Sequence, residues 1–227
     1  MKISAVSAYQ TYPLKNNISI RQLQANKTTN VYKPMVSISF EGNPKKKPHQ
    51  FAAFATESNY LGGRYVAGGL GDVAGSLPQA LRKRLIGCRV VMPLYDNIKQ
   101  ELKDSMKFIT NISVPVAWRR QYCGIFEARA GGVIYYLLDN QYYFKRDSLY
   151  GFYDDAERFA FFARAILEII PHIDFKPDII HCNDWQTALI PVYLDAFYKY
   201  ADLYKNIKTV FTIHNIQYQG KYGYELT

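Results

Sequence analysis

Three polar clusters stand where apolar runs end: Gly68-Gly69-Leu70-Gly71-Asp72, His181-Cys182-Asn183-Asp184-Trp185-Gln186-Thr187 and Thr212-Ile213-His214-Asn215. A glycine-rich loop that opens a helix presents unpaired N–H groups and the positive end of the helix dipole, which suits an anion such as a diphosphate. Gly69, Gly71 and Ala74 also fit the looser dinucleotide fingerprint, whereas the Asp72 carboxylate would crowd a pyrophosphate there. A His-Asn pair such as His214-Asn215 hydrogen-bonds hydroxyl groups without adding charge, although a lone histidine equally serves backbone carbonyls. Asp184 reads either as a site carboxylate or as a helix N-cap, and Trp185 either as part of the site or as core.

Those clusters need a frame that brings strand ends together. From Phe51 onward, short apolar runs alternate with helical periodicity, the pattern of βαβ units. Strands are expected at Phe51–Ala55, Cys88–Leu94, Asp178–Cys182 and Lys208–Ile213. Helices are expected at Asp72–Arg84, Asn97–Met106, Asp154–Ile170 and Trp185–Tyr198. Between them, Phe108–Val116, Gln121–Ala128 and Val133–Leu138 are closely spaced strands with Gly131-Gly132 as a turn, which predicts an antiparallel insertion at one sheet edge. The fold class is therefore α/β, a Rossmann-like open sheet, mostly parallel. In such sheets ligands bind beyond the carboxyl ends of the strands, where all three clusters fall.

Composition narrows the classes. The 227 residues are 48% hydrophobic, enough for a substantial core. The net charge of +9 is concentrated in residues 1–50, which carry eight Lys/Arg against Glu41 alone, so the remainder is nearly neutral and nucleic acid is not an expected partner. Residues 1–50 lack a sustained apolar period and end near Lys45-Lys46-Lys47, and they are expected to be a flexible basic tail. Cys88, Cys123 and Cys182 read as reduced, core-filling thiols of a cytoplasmic protein. No metal-ligand spacing and no apolar run of about 18 residues occurs, so neither a structural metal nor a membrane span is expected.

Taken together the motifs resemble the bacterial glycogen synthases and plant starch synthases. The resemblance rests on Gly68-Gly69-Leu70-Gly71-Asp72-Val73, Leu77-Pro78-x-Ala80-Leu81 and Val91-Met92-Pro93-Leu94-Tyr95. It continues through Tyr153-Asp154-Asp155-Ala156-Glu157-Arg158-Phe159, Pro177-Asp178-Ile179-Ile180-His181-Cys182-Asn183-Asp184-Trp185-Gln186-Thr187 and Phe211-Thr212-Ile213-His214-Asn215-Ile216-Gln217-Tyr218-Gln219-Gly220. It implies the N-terminal half of a GT-B glycosyltransferase over residues 51–227. The second GT-B domain would be absent and would be a partner if separately encoded.

The implied reaction is retaining transfer of glucose from ADP-glucose, or UDP-glucose, to the non-reducing end of an α-1,4-glucan, without metal or cofactor. By motif position, Gly68, Gly69 and Asp72 would bind donor or substrate, and Asp184, His214 and Asn215 would be catalytic. The family lysine two residues before the paired glycines is replaced by Val66, with Arg64 as its nearby substitute. A non-catalytic glucan-binding or regulatory remnant is the alternative, for which the 20 tyrosines would supply stacking surfaces.

Overall fold

The structure, a computed structural model, describes residues 50–54 and 68–223. Apart from Gln50, the expected basic tail lies outside the described residues, as do Arg64 and Val66. Five parallel strands form the body of the sheet: β1 (Gln50–Phe54), β2 (Gly87–Pro93), β5 (Val133–Asp139), β6 (Ile179–Asn183) and β7 (Lys208–Thr212). Two longer strands, β3 (Lys107–Val116) and β4 (Arg119–Ala130), continue it in antiparallel pairing, giving the order β3-β4-β5-β2-β1-β6-β7. This is the mostly parallel sheet with an antiparallel edge that the spacing predicts. Gly131 and Gly132 make the two-residue turn between β4 and β5, both with positive φ (56° and 74°), the geometry that matches strand twist in a tight hairpin.

Burial explains why the strands read as they do. β5 (Val-Ile-Tyr-Tyr-Leu-Leu-Asp) is buried at every position except Asp139, because it lies between β4 and β2. A strand buried on both faces shows a continuous apolar run rather than alternation. Helix α4 (Asp155–Ile169) packs across β3 and β4 and inserts Phe159, Phe162, Ala163 and Ile166 into the core. Full burial of Phe159, Phe162 and Ile166 contributes about 1.5–3 kcal/mol each. Cys88, Cys123 and Cys182 are buried and free, and burial pushes each thiol up to about 12, so the thiols behave as core filling.

Two helices depart from expectation. Helix α1 (Gly68–Lys83) begins four residues earlier than the sequence pattern suggests, so Gly68 to Gly71 form its first turn and not a loop. Glycine is a poor helix former, but Leu70 and Ala74 gain burial there, which offsets the propensity. The stretch expected as one helix from Trp185 to Tyr198 is a 3₁₀ turn (Trp185–Thr187), then α5 (Leu189–Tyr193) and a π-turn (Leu194–Tyr198). Pro191 has no N–H to give to the ladder, and the chain changes its hydrogen-bond period around it. The remaining helices are α2 (Gln100–Ser105) and α3 (Gln141–Phe144).

At the other edge β7 is exposed along most of its length, including Val210 and Phe211, and among the described residues no strand pairs with its outer side. None of the described helices is long and apolar enough to cross a membrane.

Candidate functional site at the ends of β6 and β7

The parallel register sets Asn183 beside Thr212, so the polar residues that close both strands are neighbours. His181 and Asn183 share one face of β6, and Thr212 and His214 share the matching face of β7 and its continuation. Two cross-strand bonds join them. His181 Nε2 meets Thr212 Oγ1 at 2.7 Å, and His214 Nε2 meets Asn183 Oδ1 at 2.9 Å. A carbonyl oxygen only accepts, so His214 carries a proton on Nε2. In the neutral ring this leaves Nδ1 as an acceptor for a hydroxyl.

Asp184 does not take the helix N-cap role, one of the two read for it. It precedes the 3₁₀ turn but makes no side-chain cap. Its backbone lies at φ 57°, ψ 179°, a region that costs a non-glycine residue about 1–3 kcal/mol. Its Oδ1 instead accepts the backbone N–H of His214 at 2.7 Å, and its own N–H donates to Thr212 O at 2.9 Å. The carboxylate therefore pins the chain just beyond β7 and sets the height of His214. Asn215 follows in a turn, with its Oδ1 accepting from Gln217 N and its carbonyl from Tyr218 N.

Trp185 takes the core role read for it and also packs against the segment that follows β7. Its ring meets Phe159 edge-on at 5.1 Å on the core side and Tyr222 at 5.7 Å on the other. Gly220, at φ 57°, lies flat against the indole: a Cβ there would come within 2.3 Å of the ring. Residues 213–223 are thus strapped over the end of β6 by Asp184 and Trp185.

The rim at the end of β5 is held by residues for which the sequence alone assigns no role. Arg158 is fully buried and its guanidinium pairs with Asp155, donates Nε to Tyr143 O at 2.7 Å and donates Nη2 to Leu149 O at 3.2 Å. Asp155 in turn accepts from the N–H groups of Gly151 and Phe152. Together they shape residues 145–154, which carry the exposed Tyr150 and Tyr153. Tyr222 connects the two rims: burial first, then the Asp155 charge, push its phenol up to about 12.

Among the expected site residues, Asp184, His214 and Asn215 come together at adjacent strand ends. Gly68, Gly69 and Asp72 lie on another element, the first two turns of α1 after the central strand β1. Arg64 lies outside the described residues. Asn183 and Thr212 are the site residues that motif reading passes over, and the two-residue alternation His181, Asn183 was the available signal.

His181 gives a pH test of this arrangement. Burial lowers its pKa from 6.5, and the charge of His214 acts in the same direction. The folded state then binds fewer protons than the unfolded one below about pH 6.5. The unfolding free energy should fall as pH drops through that value towards the folded pKa, at most about 1.4 kcal/mol per pH unit from this group. Urea titrations from pH 7.5 to 5 should show the decline, and His181→Gln should flatten it. An unchanged slope in the variant would mean that other groups carry the dependence.

Residues 52–227 match the family model of the starch synthase catalytic domain. The chain belongs to that family. The glycogen synthase of Geobacillus thermodenitrificans is 55% identical over 154 residues, which are 68% of this chain and 32% of that protein. That of Alkaliphilus metalliredigens is 55% identical over 160 residues, 70% of this chain and 34% of its own length. The catalytic domain of starch synthase IV from Arabidopsis thaliana, solved bound to ADP and acarbose, superposes with a TM-score of 0.69 at 28% identity, covering 77% of this chain and 35% of that one. The starch synthase fold, an α/β sheet of GT-B type, is thereby the fold of this chain. The chain spans about a third of the length of the curated relatives it matches.

Proposed function

We propose that this chain supplies the acceptor-side half of a glucosyltransferase that moves glucose from ADP-glucose to the non-reducing end of an α-1,4-glucan. The observation that carries the reading is the His214 assembly: a half-buried imidazole oriented by Asn183, on a backbone pinned by Asp184, in a starch synthase-family chain. Such a group hydrogen-bonds a sugar hydroxyl without adding a fixed charge. The ADP and acarbose bound by the Arabidopsis relative support a nucleotide sugar and a glucan as ligands here.

Chemically, glucosyl transfer passes through an oxocarbenium-like state, so what the protein adds is oriented polarity around the sugar and neutralisation of the departing diphosphate. His214 and Asn215 serve the first need in this reading. The first turn of α1, with Gly68 and Gly69 supplying close backbone N–H groups, serves the second. Asp72, one turn further on, is the residue that would approach the sugar in this reading. A second GT-B domain, as a partner or as further chain, completes the cleft. Three buried free thiols fit a cytoplasmic setting.

The test is incorporation of labelled glucose into glycogen from ADP-glucose and from UDP-glucose, with this chain alone and with a second domain supplied. Incorporation only on completion, with ADP-glucose preferred, is the expected result. A folded, completed complex that binds glycogen yet transfers glucose from neither donor would replace this reading with a non-catalytic glucan-binding one.

A further inference from the structure

Two consecutive residues at the end of β6 hold the two ends of one exposed segment. Asp184 takes its start, accepting the His214 N–H at 2.7 Å. Trp185 takes its end: the Tyr222 ring lies 5.7 Å from the indole, and the Gly220 backbone rests against the same ring system. Between these anchors Ile216 and Tyr218 are 68% and 63% exposed, so packing within the segment does not fix its course. Asn215 accepts from the N–H groups of Gln217 and Tyr218, which ties residues 215–218 into one turn. The position of that turn, and of His214 before it, is therefore set by what holds the two ends.

The Gly220 anchor has no room for a side chain. Its φ of 57° lies in the left-handed region, and an added Cβ would meet Trp185 Cε3 at 2.3 Å, Cδ2 at 2.6 Å and Cγ at 3.0 Å. All three atoms belong to the indole. The indole has nowhere to retreat, because Phe159 backs it edge-on at 5.1 Å and is itself a core residue. Conformation alone does not explain the glycine. Gly132 has a φ of 74°, yet a Cβ there would meet nothing within 4 Å. At Gly220 the missing side chain is what lets the returning backbone seat on the ring.

We propose that Gly220 is a positioning residue for the transfer reaction: by seating the returning chain on Trp185 it fixes the segment whose other end carries His214. The proposal rests on the glucosyltransferase reading for the reaction that is affected. To bring a Cβ from 2.3 Å out to the 3.4 Å of ordinary contact, the segment must lift by about 1 Å. Gly220 is exposed, so the segment yields and the sheet beneath it does not. A shift of about 1 Å at a group that must meet a sugar hydroxyl costs up to about 100-fold in rate.

The experiment uses two readouts on the full chain and one on the completed enzyme. Trp118, 79% exposed, is the other of the two tryptophans, so in a Trp118→Phe background the fluorescence reports Trp185 alone. Gly220→Ala should move that emission to longer wavelength. It should also speed hydrogen exchange of the His214 amide at least about tenfold and leave the β5 amides unchanged. In the completed enzyme it should lower kcat by about 10- to 100-fold, with KM for ADP-glucose and for glycogen within about threefold. Tyr222→Ala, which frees the same end without a clash, should shift all three readouts in the same direction, and Tyr222→Phe, which keeps the ring on the indole, should not. Gly132→Ala, which imposes the backbone strain without a clash, should change neither His214 exchange nor kcat.

Unaltered His214 exchange and kcat in folded Gly220→Ala and Tyr222→Ala would overturn the proposal and leave the transferase reading standing. Faster exchange with unchanged kcat would overturn the catalytic consequence. Faster exchange in a protein whose unsubstituted, completed form transfers no glucose would remove the transferase reading while upholding the anchor.

Discussion

Replacing Arg158 by methionine should lower the unfolding free energy by about 3–5 kcal/mol, the usual consequence of removing one member of a buried ion pair. The Arg158 side chain is 0% exposed and that of Asp155 is 3%, so no water replaces the guanidinium. The substitution strands the Asp155 carboxylate and leaves the carbonyls of Tyr143 and Leu149 without their donor. For a folded unit of this size the midpoint of thermal unfolding should fall by roughly 6–20 °C. Arg158→Lys should not rescue it, because one ammonium cannot reach three acceptors laid out for a planar fork. Adding Asp155→Asn to Arg158→Met should recover part of the loss, since the double change removes the stranded charge. Circular dichroism melts of the four proteins decide the matter, and a shift under 2 °C for Arg158→Met would show that the pair does not hold the 145–154 rim.

The second large effect is on turnover. In the completed enzyme, Asp184→Ala should reduce kcat about 100-fold, whereas Asp184→Asn should cost less than tenfold. The difference follows from the acceptor role: an asparagine Oδ1 still receives the His214 N–H, and alanine cannot. Without that bond the chain beyond β7 keeps only the His214–Asn183 bond and the packing on Trp185 as ties to the end of β6, and His214 shifts with it. If Asp184→Asn were as damaging as Asp184→Ala, the charge itself would be acting on the substrate. Asp184 would then be catalytic in the strict sense and not a positioning residue.

How much of this was legible in the residues differs by level. β5 and α4 could be read directly, because a fully buried strand and a one-faced helix leave strong patterns in Val133–Asp139 and Asp155–Ile169. The start of α1 could not, since Gly68 and Gly69 argue locally for a loop and only packing of Leu70 and Ala74 decides for helix. Pro191 was a visible warning against a continuous helix after Trp185. The site showed the same division. That His214 and Asp184 fall at strand ends follows from where the apolar runs stop. That the Asp184 carboxylate holds the His214 backbone depends on the β6–β7 register, a long-range fact. Arg158 was hidden for a different reason: an arginine on a charged helix turn ordinarily faces solvent, and only the surrounding carbonyls make it a core residue.

The bare flank of β7 carries a practical lesson for handling the chain by itself. Among the described residues no strand pairs with the outer amides of this ribbon, and with Val210 at 46% and Phe211 at 42% exposure and Lys208 as its only charge it is adhesive towards its own kind. Two such ribbons laid side by side would satisfy each other's hydrogen bonds and bury four apolar side chains. Colloidal behaviour at high concentration should therefore be governed by this flank more than by the nearly neutral remainder of residues 51–227, and a single charge placed at Val210 should keep solutions clear for longer.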